Sequence, residues 1–168
     1  MSIKVTFPDG NIRTFDAGTT AMQVAQSISE GLARNVLAAR IDDQIKDAST
    51  ALTQDCKLQL LTWSDAEGKS TMWHSSAHLM AEALEFFYPG IKLAIGPPVA
   101  NGFYYDVDLL EYSISEKDLE KIEQKIKELA KLKNPFIRQE ISKAAAIAYF
   151  EEKQDPYKLE LLADLPDG

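Results

Sequence analysis

The sequence is poor in residue types that mark several classes of protein. Cys56 is the only cysteine among 168 residues. No intrachain disulfide can therefore form, which suits a reducing cytosol. No apolar run approaches the roughly 20 residues that a membrane-spanning helix needs. The opening residues, Met1 to Lys4, lack the long apolar stretch of a secretory signal. We therefore expect a cytoplasmic protein with no membrane partner.

Basic residues are also scarce. The chain has 18 Lys and Arg against 26 Asp and Glu, a formal net charge of −8. This balance argues against a free-standing nucleic-acid binder, because phosphate contacts need Lys and Arg. The exception is residues 115–143, with 8 basic and 6 acidic side chains. Pairs four residues apart, such as Glu123–Lys127, favour a solvated helix face there. A track for an RNA backbone is the alternative.

Residues 1–62 begin with a hairpin pattern. Apolar and polar residues alternate from Ile3 to Phe7, which predicts a strand. The turn Pro8-Asp9-Gly10 leads into a second predicted strand, Asn11 to Phe15. Thr19 or Thr20 then caps a predicted helix that stops at Gly31.

Two further strands complete this region. They are predicted at 36–41 and 57–61, with a turn at 42–44 after the first of them. The order β-β-α-β…β implies a β-grasp, or ubiquitin-like, sheet with one helix packed across it.

Residues 63–70 are polar and contain Gly68, so they are predicted to link two domains. The second domain, 71–168, opens with a helix at 74–88. Apolar residues cover most of the circumference of this helix, which predicts that it is buried. Short strands are predicted at 92–95 and 103–109.

Two more helices follow. Ser115 is placed to cap one that ends at Pro135, and Ser142 begins another that runs through Phe150. The predicted core face of the first consists of Leu119, Ile122, Ile126 and Leu129. The second domain is therefore of the α+β class.

The only histidines, His74 and His78, stand four residues apart in the segment HSSAH and share one side of the predicted helix. Two imidazoles at this spacing suit the binding of one metal, one water or one substrate. A pair of hydrogen-bonded core histidines is the alternative. Ser75 stands where a zinc peptidase needs Glu, and a complete zinc site needs a third or fourth ligand. No metal site is therefore predicted.

Two segments resemble known families. VTFPDGNIRTFDAGTTAMQVAQSIS resembles the start of a TGS domain, a module named after threonyl-tRNA synthetases, certain GTPases and stringent-response enzymes. WHSSAHLMAEAL followed by KLAIGPPVANGFYYDVDL resembles the editing domain of threonyl-tRNA synthetases, which is related to that of alanyl-tRNA synthetases. The order and spacing of these segments match that family.

The resemblance implies that this region hydrolyses seryl-tRNA mischarged by the parent enzyme. Catalytic roles fall on His74, His78 and Lys158. Tyr105 and the Gly96-Pro97 turn would bind the substrate. No Ser-His-Asp or Cys-His set for covalent catalysis is visible, so attack by water is the simpler mechanism.

The chain departs from the family in one respect. The family completes its editing pocket with a downstream C-x-x-x-H segment, and this sequence stops at Gly168 before any such segment. The expectation is an N-terminal fragment with an incomplete editing domain and no cofactor of its own. The implied parent attaches threonine to tRNA with ATP, Mg²⁺ and a zinc ion, binds the tRNA acceptor end, and dimerises through the missing core.

Two alternatives stay open. One is a stand-alone deacylase that clears serine from mischarged tRNA. The other is a non-enzymatic interaction module that uses the β-grasp sheet, against which the HSSAH helix argues.

Overall fold

The computed structural model describes residues 1–137 and 139–166. The chain divides into two compact units, the first ending at His74 and the second beginning at Ser75. Within the described residues no helix is both long and apolar enough to cross a membrane. Arg138, part of the basic stretch, lies outside the described residues, as do Asp167 and Gly168, where the expected truncation falls.

The first unit is built on one mixed sheet of five strands in the order β2-β1-β5-β3-β4. The strands are β1 (Ser2–Thr6), β2 (Ile12–Asp16), β3 (Ala38–Ile41), β4 (Gln44–Lys46) and β5 (Cys56–Leu61). The central pair, β1 and β5, is parallel, and the other neighbouring pairs are antiparallel. This arrangement confirms the β-grasp prediction.

One helix, α1 (Ala21–Ile28), packs across this sheet. Its Val24 is fully buried against Val5 and Leu58 of the two central strands. The alternation seen in the sequence is the cause, because Ile3 and Val5 point to this face while Lys4 between them is exposed. Apolar burial therefore fixes the register of β1.

The N-terminus of α1 carries the predicted cap at Thr20. The Thr20 hydroxyl accepts a hydrogen bond from Gln23 N at 3.1 Å, and Gln23 Oε1 accepts from Thr20 N at 2.8 Å, a reciprocal capping box. The predicted stop at Gly31 is wrong. The helix ends at Ile28 because Ser29 caps a short second helix, α2 (Glu30–Ala33), which contains Gly31.

The turn after β3 is confirmed. Asp42 and Asp43 have φ angles of 45° and 68°, the left-handed conformation that aspartate tolerates in tight turns. The chain then returns at Gln44 as β4, a strand that the sequence pattern did not predict.

Only the first residues of the segment 63–70 form a connection, between β5 and the next helix. Thr62 and Asp65 form a turn in which the Asp65 carboxylate accepts from Thr62 N at 2.8 Å. Helix α3 (Ala66–Phe87) begins directly after it, so the prediction of a linker through Ser70 and a helix start at His74 is wrong. Polar residues and Gly68 suggested a loop, but the Asp65 carboxylate accepts from Thr62 N and thereby organises a helix start.

The first turns of α3 lie against the sheet of the first unit. Glu67 forms an ion pair with Arg40 of β3, and Trp73 makes an edge-to-face contact with Trp63 at 5.3 Å between ring centroids. Gly68 is buried, and a Cβ at this position would overlap the carbonyl oxygen of Thr62. Gly68 therefore permits an approach between helix and turn that no other residue allows.

Replacing Gly68 tests this close approach. Gly68→Ala is expected to lower the free energy of unfolding by about 1–3 kcal/mol, because the new methyl group forces the helix away from Thr62. The control is Gly31→Ala in α2, where the nearest atom to an added Cβ is Ser29 Oγ at 3.9 Å. That change should be neutral or stabilise by about 0.4–1 kcal/mol. Equal urea midpoints for the two variants would contradict the packing argument.

Within its described residues, the second unit contains four short strands and three further helices. They are β6 (Lys92–Leu93), β7 (Pro98–Val99), β8 (Gly102–Phe103), β9 (Val107–Asp108), α4 (Glu116–Leu132), α5 (Lys143–Glu152) and α6 (Pro156–Ala163). β6 pairs with β9 and β7 with β8, both antiparallel. The predicted strand at 103–109 is thus two short pieces, because Tyr104 to Asp106 leave the regular ladder.

A separate apolar core holds this unit together. It consists of buried residues from α3 and α4 with Tyr88 and Ile91 between the two helices, namely Ala83, Leu84, Tyr88, Ile91, Ile122 and Leu129. Ile126 packs against this core as predicted, but Leu119 is 56% exposed, so the predicted core face of α4 is wrong at that residue. The helix also ends before Pro135, at Leu132, since Lys133 takes the left-handed conformation with φ of 54°.

The prediction that α3 is buried around most of its circumference is also wrong. Both histidines are exposed, and so is Phe86, at 60%. Ala77, Ala81 and Leu84 form the buried side. The exposed residues recur at helical spacing, at His74, His78, Glu82, Glu85 and Phe86, so one side of α3 faces the solvent.

Three lysines of α4 form ion pairs with acids of the same helix. The predicted pair Glu123–Lys127 is present at 2.5 Å, and Lys125 lies 3.8 Å from Glu128. Lys121 Nζ lies 2.6 Å from Asp118 Oδ1. This pairing favours the solvated-face interpretation of the basic stretch.

The predicted cap at Ser115 is present, and Asp118 is its partner. The Asp118 carboxylate accepts from Ser115 N at 2.9 Å and from Ser115 Oγ at 2.7 Å. The Lys121 ammonium and these two donors hold the pKa of Asp118 well below its ordinary value.

This depressed pKa makes the start of α4 sensitive to acid. A carboxyl group with a lowered folded pKa stabilises the fold above its unfolded pKa of about 4, and that contribution fades as the pH falls below it. Asp118→Ala should therefore flatten the loss of stability between about pH 4 and 2, measured by denaturant unfolding at each pH. Gln124→Ala on the same helix is the control. An unchanged acid profile in Asp118→Ala would count against the role of this carboxylate.

Candidate functional site

Three of the residues expected in a substrate site meet in the second unit. Lys158 Nζ donates to the carbonyl oxygen of Ala94 at 2.5 Å. Two residues further along, Gly96 lies under the ring of Tyr105, where an added Cβ would stand 2.5 Å from Tyr105 Cε2. The segment 94–97 therefore brings the lysine, the tyrosine and the Gly96-Pro97 turn into one cluster.

Backbone hydrogen bonds pair the two segments that carry Gly96 and Tyr105. Ala94 N donates to Asp106 O at 2.9 Å, and Asp106 N donates to Ile95 O at 2.9 Å. These two bonds extend the β6–β9 pairing beyond its regular residues. They fix Tyr105, which directly precedes Asp106, opposite the segment that carries Gly96.

The Tyr105 phenol lies in a partly buried and acidic environment. Burial, followed by the nearby carboxylates of Glu85 and Asp155, raises the pKa of Tyr105 above its ordinary value. Tyr105 therefore stays neutral and keeps its hydroxyl proton at neutral pH. A neutral phenol in this place is a hydrogen-bond donor and acceptor.

Lys158 owes its place to α6, a helix that the sequence pattern did not predict. Asp155 caps this helix, because its side-chain oxygen accepts from Lys158 N at 3.1 Å, and Pro156 occupies the first turn. Asp followed by Pro is a recognised helix-start signal, so these two residues could have revealed the helix.

His78 lies on α3. Together with residues of α3, α4 and the segment after α4, it lines a surface cavity of about 320 Å³. The Phe136 ring lies 6.0 Å from the His78 ring, between centroids. The imidazole is exposed, so a ligand can reach it from solvent.

His74 also lies on α3 and is exposed. It is the last residue of the first compact unit. Its spacing from His78 is that of neighbours on one side of a helix. The prediction that both imidazoles face one cavity stays a prediction.

Three residues near the lysine–tyrosine cluster were not predicted. Glu85 and Asp155 act on the Tyr105 hydroxyl through charge. Tyr157, next to Lys158, donates its hydroxyl to Asp108 Oδ2 at 3.0 Å. No spacing rule joins Asp108 to Tyr157, which are 49 residues apart. Within the described residues there is no group of three or more His, Cys, Asp or Glu side chains placed to hold a metal ion.

Comparison with known proteins defines the class of the first unit. The family of TGS domains matches residues 3–62, which make up the five-stranded sheet and its helix. The first unit is a TGS domain.

The chain as a whole matches the N-terminal region of threonine–tRNA ligases. It is 62% identical over 166 residues to the threonine–tRNA ligase of Cytophaga hutchinsonii, which covers 99% of this chain and 26% of that protein. Identity to the threonine–tRNA ligase of Porphyromonas gingivalis is 52% over 167 residues, with the same coverage. For that of Flavobacterium johnsoniae it is 51% over 166 residues, covering 99% of this chain and 25% of that protein. The chain thus spans about a quarter of the length of these curated relatives.

The contact between Gly96 and Tyr105 is open to a direct test. Gly96→Ala should push the Tyr105 ring toward solvent, because the added methyl group and the ring cannot share the space. The pKa of Tyr105 should then fall toward its ordinary value of about 10. NMR titration of labelled tyrosines measures this, with Tyr105→Phe to assign the signal and Gly31→Ala as control. A Tyr105 pKa that does not move in Gly96→Ala would contradict this contact.

Proposed function

We propose that this chain is the N-terminal region of a threonine–tRNA ligase, and that its second unit hydrolyses serine from mischarged tRNA. The observation that carries the proposal is the meeting of Lys158, Tyr105 and Gly96 in one cluster, in a chain 62% identical to such a ligase. The parent reaction is ATP-dependent attachment of threonine to tRNA. ATP, Mg²⁺, zinc and the dimer contact belong to other parts of the parent, which acts in the cytoplasm.

The need for such hydrolysis follows from the size of the two amino acids. Serine lacks one methyl group of threonine, and a missing methyl group changes binding by only about 1–3 kcal/mol. A site built for threonine therefore accepts serine too often. A second site that cleaves the seryl ester removes the error.

The carboxylates near Tyr105 suit the amine of an aminoacyl ester. Glu85 and Asp155 lie close enough to Tyr105 to raise its pKa. A negative potential of this kind attracts the protonated α-amine of an aminoacyl group. The Tyr105 hydroxyl, neutral at pH 7, is then available to hydrogen bond with the serine side chain or the ester.

Lys158 and the histidines supply the remaining functions. The Lys158 ammonium, already directed at a carbonyl oxygen, is a donor of the type that stabilises a developing oxyanion. His78, exposed on α3, is a candidate base for the attacking water. His74, one turn earlier on the same helix, is the second candidate.

The test uses a chimera in which this chain replaces the matching quarter of the Cytophaga hutchinsonii ligase. Lys158→Met should lower serine release from seryl-tRNA by about 10²–10³-fold. His74→Ala and His78→Ala should each lower it by a factor of about 10² or more. Threonine attachment by the same chimeras should be unchanged, and Lys127→Met, an exposed lysine of α4, is the matched control.

The chain of 168 residues is the reference. We expect it to release serine weakly or not at all, because the family pocket also uses a C-x-x-x-H segment and a charge of −8 opposes tRNA binding. Robust turnover by these 168 residues would show that hydrolysis does not need the C-x-x-x-H segment. Unchanged serine release in all three chimera variants would refute the assigned roles.

A further inference from the structure

We propose that Tyr157, acting through Asp108, is the positioning residue that directs the Lys158 ammonium. The role of the Lys158 ammonium in hydrolysis rests on the function proposed above, but its positioning by Tyr157 does not. The inference itself concerns geometry: two neighbouring residues of α6 form separate hydrogen bonds to one small ladder, and the first bond aims the second.

The two side chains leave the helix in different directions. Successive residues of an α-helix are rotated by about 100°. Tyr157 donates its hydroxyl to Asp108 Oδ2 at 3.0 Å, while Lys158 Nζ donates to Ala94 O at 2.5 Å. One bond therefore fixes the rotation of α6 that the other requires.

Both acceptors belong to the same pair of strands. Lys92 is paired with Asp108 in the β6–β9 register, and Ala94 is bonded to Asp106 just beyond it. The two anchor points thus stand two residues apart along the ladder, roughly 7 Å. A helix held at two such points cannot turn about its axis without breaking one of them.

Asp108 is itself held in place. Its Oδ1 accepts from Leu110 N at 2.9 Å, in a turn where Leu110 has a φ of 52°. The Leu110 N–H and then the Tyr157 hydroxyl lower the pKa of Asp108, which keeps this acceptor ionised at neutral pH. The carboxylate uses one oxygen for the turn and the other for the helix.

The lysine needs this support because its stem is flexible. Four rotatable carbons let an ammonium group adopt many directions, so one bond to a carbonyl does not by itself fix it. Asp155 holds the backbone of Lys158 by capping the helix. Tyr157 adds the lateral restraint that a cap at the helix end does not provide.

The experiment measures the Lys158 ammonium directly in the whole chain. Lysines are labelled with ¹⁵N, and the Lys158 signal is identified by its loss in Lys158→Arg. Tyr157→Phe keeps the ring and removes the hydroxyl. We expect exchange of the Lys158 ammonium hydrogens with water to rise about tenfold, as loss of a hydrogen bond to a charged group predicts. Tyr149→Phe, which removes a hydroxyl from α5, is the matched control and should leave exchange unchanged.

A second variant distinguishes the loss of this hydrogen bond from a general loss of structure in α6. Asp108→Asn keeps the size of the side chain but leaves one acceptor oxygen for two donors. With backbone amide protection of α6 intact, faster Lys158 exchange in this variant supports the proposal. The double variant should add little to either single change, because both remove the same bond. Unchanged Lys158 exchange in Tyr157→Phe and Asp108→Asn, with α6 intact, would overturn it.

This result is separate from the proposed function. If Lys158→Met leaves serine release unchanged while Tyr157→Phe still frees the ammonium, the function fails and the positioning stands. If Lys158→Met abolishes release but Tyr157→Phe does not alter the ammonium, the positioning fails alone.

Discussion

The candidate site depends on a β-ladder that is too short to be stable alone. β6 and β9 share only two residue pairs, and a two-stranded ribbon of this length is marginal in water. The hydrogen bonds of Ala94 and Asp106 lengthen it, and Lys158 and Tyr157 tie a helix to both ends. The polar residues of the site are thus also part of what holds the ladder in place.

The sheet of the first unit is stabilised in another way. Its sheet has five strands with Val5 and Leu58 fully buried beneath α1, so burial of apolar surface supplies the stability. The buried Gly68 then lets α3 begin directly against Thr62. Apolar packing tolerates exchange of side chains better than a few directed hydrogen bonds do. The second unit is therefore the more sensitive of the two to single polar substitutions near its site.

The sequence predicted those features that depend on neighbouring residues. Alternation around Val5 and the cap at Thr20 are local, and both are confirmed. The predicted helix end at Gly31 was wrong because a glycine in a short second helix resembles a helix stop. The predicted burial of Leu119 was wrong because helical spacing does not reveal how far the buried side of α4 extends.

The candidate site could be predicted only in part from the sequence. The resemblance to an editing domain indicated Tyr105 and Lys158, but periodicity alone did not, since their meeting point at 94–97 is far from both in the chain. Tyr157 and Asp108 lay beyond either approach. A contact between residues 49 apart depends on how a helix lies across a ladder, and no local propensity contains that information.

Charge gives a further constraint on how such a region meets RNA. A net charge of −8, and the ion pairs of Lys121, Lys125 and Lys127 with acids of α4, limit the positive charge that can contact phosphates. Two carboxylates, Glu85 and Asp155, act on the Tyr105 hydroxyl, and the Lys158 ammonium lies in the same cluster, so the site combines charges of both signs. Under the function proposed above, affinity for a long RNA comes from other parts of the parent, and this site acts on the small group at the RNA end. Under that proposal, the carboxylates near Tyr105 suit the amine of an aminoacyl group without weakening RNA binding elsewhere in the parent.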